Sequence, residues 1–370
     1  MTLLTFDEMV ARLKLYLELE SNLYPMILLF SLSARLKELF PNDLCLYISV
    51  VGSWSTGKTN TSQLITEISR GEWLELATDA YLLDAFDKNG NVKVIGLDQL
   101  DDQIERLDSI VSILEIGNKW DAKYGMKVKK SGKWESVQIP CGGPKVFNSL
   151  IPPRRTLSSR CLEIRMFPAV GKDSELLSAR YKYRKNDVED LAGSLDWYAS
   201  DIKSKFDADD VQQFILSPVN LAKVKHLKKY SPRRVDIANI FEAVNDMVGW
   251  KADCVTPLQY EVMDEDTEAF RTVLADIVVN CGWLNGSPVK SDEVCSAVNE
   301  RYRSIGWETF SPQAFGRRMV EMGFTDYSGY RIHRNDGTKY IFDNGSIGLL
   351  RPGFQVQVKW GTSHLKKVTD

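Results

Sequence analysis

The eight residues Gly52-Ser53-Trp54-Ser55-Thr56-Gly57-Lys58-Thr59 fit the pattern GxxxxGKT and follow directly on the apolar, β-prone run Leu44 to Val51. Strand, glycine loop and helix in that order are what a nucleotide-phosphate site requires. Gly52 and Gly57 allow backbone N–H groups, that of Ser53 among them, to turn inward around phosphate oxygens. Lys58 supplies a mobile cation for the β and γ phosphates, and the Thr59 hydroxyl is offered to Mg²⁺. The helix predicted over Thr59 to Ser69, with Asn60 in its first turn, aims its positive end at the same anion. The competing reading is a glycine turn that happens to carry a lysine, and it leaves the flanking strand and helix unused. The expected chemistry is binding of ATP or GTP together with Mg²⁺.

A phosphate loop needs an acid to hold the metal. The run Val92-Lys93-Val94-Ile95-Gly96-Leu97-Asp98-Gln99 is apolar apart from Lys93. It places Asp98 at the carboxyl end of a strand, where α/β sheets expose their sites. Asp98 is expected to bind Mg²⁺ directly or through water. A water-activating glutamate would come next, and Gln99 stands there instead; either Asp101 or Asp102 takes over, or hydrolysis is slow. A further strand, Pro144-Lys145-Val146-Phe147-Asn148, ends in an amide that orients an attacking water or else caps a turn. The stretch Pro152 to Arg160 leads into an edge strand, Cys161 to Met166, so that Arg160 reaches a neighbouring subunit's nucleotide or is a solvated turn residue. Ser231-Pro232-Arg233-Arg234 opens a helix, Val235 to Val248, ended by Gly249, and places Arg233 or Arg234 where a γ phosphate is sensed.

Two segments have the chemistry to hold nucleic acid. Between Gly117 and Trp134 six lysines interleave with three aromatic residues, and Ser131-Gly132 reads as a hairpin tip. Lys119, Lys123, Lys127, Lys129 and Lys130 neutralise phosphates while a ring such as Trp120 stacks on bases whatever their sequence. The alternative is a solvated hairpin whose aromatics pack on the domain. From Gly286 to Asp370, twelve Lys and Arg stand against nine Asp and Glu, a local excess of +3 in a chain whose net charge is -3. There Ser311 caps a helix ending near Gly323. Ala314, Met319 and Met322 are expected to face inward, leaving Gln313, Arg317 and Arg318 to a groove, with Arg331, Arg334 and Lys339 flanking a hairpin around Asn335-Asp336-Gly337. A protein-contact role is the competing use of that unit.

These groups need scaffolds, and 370 residues suffice for two or three domains. Residues 1–43 read as helices packing on the core, with Thr5 and Glu8 at capping-box spacing and a second helix from about Pro25 to Leu39. Residues 44–170 alternate apolar runs with helical stretches, as an α/β domain with a mostly parallel sheet does. Residues 171–255 read as a helical lid, 256–285 as a linker and the start of the next unit, 286–345 as helix, helix and hairpin, and 346–370 as a tail. That last order is the one a winged helix-turn-helix has. Tyr24 to Leu32 is too short to span a bilayer about 30 Å thick, and no cleavable signal is seen. Six cysteines without a CxxC pair, and only three histidines, argue against structural zinc and for a reducing cytoplasm.

Taken in order, GSWSTGKT, VIGLDQ, LEIGNKWDAKYGMKV, PKVFNSL, TLSSR and SPRRVDIANIFEAVNDMVG give a chain that resembles AAA+ ATPases of plasmid, phage and integrated-element replication. Primase-associated helicases and helicase-like relatives ending in a winged helix are the most similar, over roughly residues 25 to 345. The resemblance implies an α/β P-loop core with a helical lid and a C-terminal winged helix. It makes Lys58 and Thr59 the nucleotide loop, Asp98 the metal acid, Asn148 the first sensor, Arg160 a finger in trans and Arg233 or Arg234 the second sensor. It also implies ATP as the nucleotide, a hexameric ring, single-stranded DNA in the pore with duplex at the winged helix, and a hairpin projecting into that pore. Gln99 departs from the family pattern. The expected function is an ATP-driven helicase or translocase. The alternative is a nucleotide-dependent DNA-binding switch (initiator, loader or transcription regulator) that turns over slowly or not at all. A kinase using the same loop would leave the winged unit unexplained, and no primase domain is read ahead of the loop.

Overall fold

The computed structural model describes residues 2–40, 44–52, 56–75, 94–100, 110–130, 133–150, 153, 155–166, 185–259, 265–304, 307–343, 346 and 350. Ser53, Asp101, Asp102, the hairpin tip 131–132, residues 171–184 and nearly all of 346–370 lie outside it. The chain divides into two compact units, Met1–Asp276 and Ile277–Asp370.

The first unit is built on five strands in the order β2-β3-β6-β1-β7: β1 Tyr47–Gly52, β2 Glu72–Leu74, β3 Ile95–Leu97, β6 Lys145–Ser149 and β7 Cys161–Met166. Every pairing among them is parallel. Parallel strands are covered on both faces, which is why β1 reads as an unbroken apolar run and is buried throughout. The two-residue side-chain period sorts the sheet into two faces. Ile48, Val50, Val146, Leu162, Ile164 and Met166 join one core cluster, while Tyr47, Ile95, Leu97, Phe147 and Cys161 join another.

Four groups of helices share the first cluster. They are α1 (Phe6–Tyr16), α2 (Leu23–Ser33), α3 (Lys58–Ile68) and the later helices α6 (Lys185–Lys205), α7 (Ala208–Leu216), α8 (Pro218–Val224) and α9 (Pro232–Val248). The expected capping box forms at the start of α1, with Thr5 Oγ1 accepting from Glu8 N and the Glu8 carboxylate from Thr5 N. Helix α2, expected to reach Leu39, ends at Ser33, and Lys37–Leu39 is a separate 3-10 turn. At the break Arg35 turns its guanidinium across three helices, donating to Ser31 O at 2.6 Å, Ile68 O at 2.8 Å and Asp196 Oδ1 at 2.6 Å. Closing this junction takes precedence over continuing the helix.

The opposite face carries α4 (Ile110–Ile116), the short α5 (Arg155–Ser158) and the root of an antiparallel ribbon, β4 (Lys123–Lys130) with β5 (Lys133–Pro140). Lys145, the first residue of β6, fixes that root. Its ammonium is fully buried and donates to the carbonyls of Cys141 (2.8 Å), Gly143 (3.0 Å) and Gly117 (3.2 Å) and to the Tyr47 hydroxyl (3.1 Å). Burial pulls its pKa from an ordinary 10.5 down to about 8.

In the second unit β8 (Pro288–Lys290), β9 (Arg331–Arg334) and β10 (Gly337–Ile341) form an antiparallel sheet of order β8-β10-β9. Helix α11 (Ser291–Ser304) and helix α12 (Pro312–Glu321) precede the β9–β10 hairpin, and Ser311 caps α12 through Ala314 N as expected. Phe315 and Met319 are the residues α12 buries, whereas Ala314, expected inward, is half-buried; Phe315 takes its place against Tyr340 at 6.1 Å between ring centroids. The stretch expected to be a linker instead contains α10 (Glu265–Asn280), and the division between the units falls inside it.

Replacing Lys145 with methionine leaves buried carbonyls without their donor and is expected to destabilise the chain by more than about 2 kcal/mol. Between pH of about 8 and 10.5 the unfolded chain still holds the proton that the folded chain has released. The wild type therefore gains stability relative to Lys145→Met as pH climbs through that window. Urea denaturation of both proteins at either end of the window measures the difference.

Candidate functional site

Helix α3 starts where β1 stops, and the connection is shaped by its glycines. A Cβ on Gly52 would lie 2.4 Å from the Met166 carbonyl oxygen, so the end of β1 passes too close to β7 for any side chain. Gly57 has φ of 82° and occupies the N-cap of α3 with no side-chain cap. No acidic residue stands in the first turn, so the positive end of α3 is neither capped by a side chain nor neutralised by a nearby carboxylate. Lys58, Thr59 and Asn60 are half-buried along this turn.

Register brings the other groups to the same edge. β1, β3 and β6 run parallel, so Gly52, Leu97 and Ser149 end together and Asp98 follows Leu97 at that edge. One oxygen of Asp98, Oδ1, accepts from the Thr59 hydroxyl at 3.0 Å and from Asn148 Nδ2 at 2.7 Å. Asn148 Oδ1 accepts from the Gln99 backbone N–H at 2.9 Å. Gln99 is held at φ of 48°, uncommon for a residue with a side chain, and this turns the backbone N–H toward Asn148. A hydroxyl, a carboxylate and a carboxamide thus stand in one hydrogen-bonded row at the mouth of the GxxxxGKT loop. Parity explains the row: Asn148 shares a face with Val146, the face on which α3 packs.

Mg²⁺ usually keeps several waters and takes only one or two protein carboxylates plus substrate phosphates. Thr59 and Asp98 fit that mode. Among the described residues no group of three or more His, Cys, Asp or Glu gathers as a metal site, which a metal arriving with its nucleotide does not require.

The expected arginines lie elsewhere. Arg160 stands at the amino end of β7, whose first residue Cys161 pairs with Tyr47, the first residue of β1. The length of β1, about 17 Å at 3.3 Å per residue, separates it from its own chain's phosphate loop. Arg233 Nη1 lies 3.4 Å from both the Thr156 carbonyl and Ser159 Oγ, at that same remote end. Arg234 is fully buried and donates to Leu258 O at 3.1 Å. Neither Arg233 nor Arg234 is therefore placed to sense a γ phosphate in its own chain. Two cations that the sequence did not flag lie nearer: Arg165, opposite Val51 in the register and paired with Glu163 at 2.5 Å, and the buried Arg271 of α10. Burial first, and the charge of Arg165 second, pull the pKa of Arg271 down to about 10. Its spacing from Phe270, Leu274 and Val278 is helical, a periodicity present in the stretch expected to be a linker.

On the ribbon, Lys119, Lys123 and Lys127 are exposed, and the side chains of Lys129 and Lys130 lie outside the description. Trp120, expected to stack on bases, is buried in the core with Lys37 over its ring at 5.8 Å. The exposed ring is Trp134, at 69%, opposite Lys129 in the register. In the second unit Arg317 and Arg334 are exposed and Arg331 is half-buried. Arg318 pairs with Glu321 at 3.3 Å, which turns it from a groove-facing donor into a helix-surface ion pair. Gln313, Gly316, Arg317 and Val320 form one face of α12, lining a cavity of about 530 Å³ with Arg331 and Thr338.

No protein-family model matches the chain, and no match is found among curated proteins.

Alanine at position 57 meets only the cost of a left-handed backbone, about 1 kcal/mol, whereas alanine at position 52 must also displace a strand carbonyl. Denaturant titration is expected to rank Gly52→Ala below Gly57→Ala in stability; equal values would mean that the end of β7 gives way.

Proposed function

We propose that the chain is an AAA+ ATPase that binds ATP at the GxxxxGKT loop and uses it to move on, or open, DNA during replication of a mobile element. The observation that carries this reading is the row Thr59–Asp98–Asn148 at the mouth of the loop. The sheet order supports it, because β6 is inserted between the loop strand and the acid strand. That insertion gives Asn148 the position the resemblance assigns to a first sensor.

In this reading Lys58 and the amides at the start of α3 bind the β and γ phosphates. Thr59 and Asp98 are the residues that hold Mg²⁺, which when bound neutralises charge on the phosphate oxygens. Asn148 orients the attacking water and, through its bond to Gln99 N, transmits occupancy to the backbone after β3. The same strand β6 begins at Lys145, which grips the root of the β4–β5 ribbon, so a shift of Asn148 is mechanically connected to the ribbon.

Along the ribbon the two-residue period puts Lys123, Lys127 and Lys129 on one face with Ser136 and Trp134, while Tyr124 and Ile139 turn to the core. A basic face ending in an exposed indole suits a single strand of DNA. The α10 to β10 order of the second unit, with α12 presenting Gln313 and Arg317, supports a winged helix on duplex. Residues 185–248 supply a helical lid, and the subunits form a ring. Gln99 favours a second reading, a nucleotide-dependent DNA-binding switch, because a carboxamide is a poor proton acceptor for water.

Lys58→Ala is expected to abolish ATP turnover, and single-stranded DNA to stimulate the wild type. Turnover indifferent to DNA would favour the switch, and none at all would remove the motor. Trp134→Ala combined with Lys127→Glu is expected to weaken single-strand binding by at least about tenfold, from loss of stacking and of a phosphate contact, with ATP affinity unchanged. Fluorescence anisotropy with a labelled oligonucleotide reads this directly.

A further inference from the structure

Arg160 and Arg233 come from the entrance of β7 and the first turn of α9, yet both reach the carbonyl of Thr156. Arg160 Nε also donates to the Asn118 amide oxygen at 3.2 Å, with the amide nitrogen donating to Glu115 O at 3.2 Å. Both arginines are half-buried. Two guanidinium groups sharing one acceptor repel each other, and half-burial weakens the solvent screening that would relieve it. Burial first and Arg233 second hold Arg160 below its ordinary range, while Glu115 acts in the opposite sense and is itself taken up by the Thr156 hydroxyl. A doubly basic, hydrogen-bond-ordered corner of this kind is a receptor for a multiply charged oxyanion, which arginine binds through paired N–H donors. The chain's own phosphate loop is about 17 Å away, at the other end of β1.

We propose that Arg160 and Arg233 act together as one clamp on the γ phosphate of a nucleotide held by a neighbouring copy of this chain. The inference rests on the ATPase reading above and adds to it. Arg233 acts in trans beside Arg160, rather than sensing the nucleotide of its own chain. Assembly must then be head-to-tail, the loop edge of one copy meeting the opposite edge of the next.

Pairwise mixing of inactive variants tests the clamp. Lys58→Ala, Arg160→Ala and Arg233→Ala are each expected to lose about 10³-fold in turnover, while the two arginine variants still bind ATP. Mixed with Lys58→Ala, either arginine variant is expected to recover about a quarter of wild-type turnover, from interfaces joining an intact loop to an intact clamp. Arg160→Ala mixed with Arg233→Ala is expected to recover nothing, because every interface then lacks one guanidinium. Recovery in that last mixture would overturn the proposal, since it requires Arg233 to serve its own chain and Arg160 its neighbour. Failure of Arg233→Ala to recover with Lys58→Ala, in a mixture shown by tagged co-purification to exchange chains, would overturn it as well. So would loss of DNA binding with turnover intact, which would assign the corner to a nucleic-acid phosphate. Arg233→Gln, which keeps a donor for Ser159, is expected to melt with the wild type and follow the same pattern; unfolding of both Arg233 variants would make the residue structural and overturn the clamp. A wild type that binds no ATP would instead sink the parent reading, an outcome distinguishable from all of these.

Discussion

The arrangement depends on one oxygen atom, Asp98 Oδ1, accepting from two side chains on two different elements. Thr59 comes from the first turn of α3 and Asn148 from the penultimate position of β6, so both elements must arrive at the carboxyl end of β3 in register. The parallel pairing sets the longitudinal position, and the two-residue period sets the face. A one-residue slip of β6 would turn Asn148 to the opposite face and put Lys145, with its four partners, into the core beneath α3. The buried ammonium at one end of β6 and the carboxamide at the other therefore enforce the same register.

A sheet with one chemical edge has an opposite edge that requires its own account. At that edge the strands begin, the ribbon is rooted, and Arg160 and Arg233 meet over Thr156. Arg233 and Arg234 are adjacent in sequence and read as one functional turn, but in the fold the two residues part. One side chain enters the core beside Leu258 and the other stays at the surface. Successive helical residues point about 100° apart, so both could not serve one phosphate.

The loop, Asp98, Asn148 and the strands that carry them were legible in the sequence, because each is a short apolar run followed by a polar group whose type is constrained by its chemistry. The capping boxes and the β9–β10 hairpin turn were legible for the same local reason. What could not be read was long-range. Lys145 looks like a solvated lysine until Gly117, Cys141 and Gly143 are brought around it. Trp120 and Trp134 are chemically alike in sequence, and only the packing of the ribbon root decides which is covered. Arg271 was hidden because the acidic cluster before it suggested a linker, although the apolar spacing beyond was already helical. The end of α2 at Ser33 reflects Arg35, whose partners on α3 and α6 lie far along the chain.

The most direct test is the magnesium dependence of ATP affinity, measured by calorimetry for the wild type and for Asp98→Asn. The asparagine keeps the hydrogen-bonding shape of the row and removes only its charge. Magnesium is expected to tighten ATP binding in the wild type and to have little effect in Asp98→Asn. The same magnesium dependence in both proteins, or no ATP affinity in the wild type, would contradict the account.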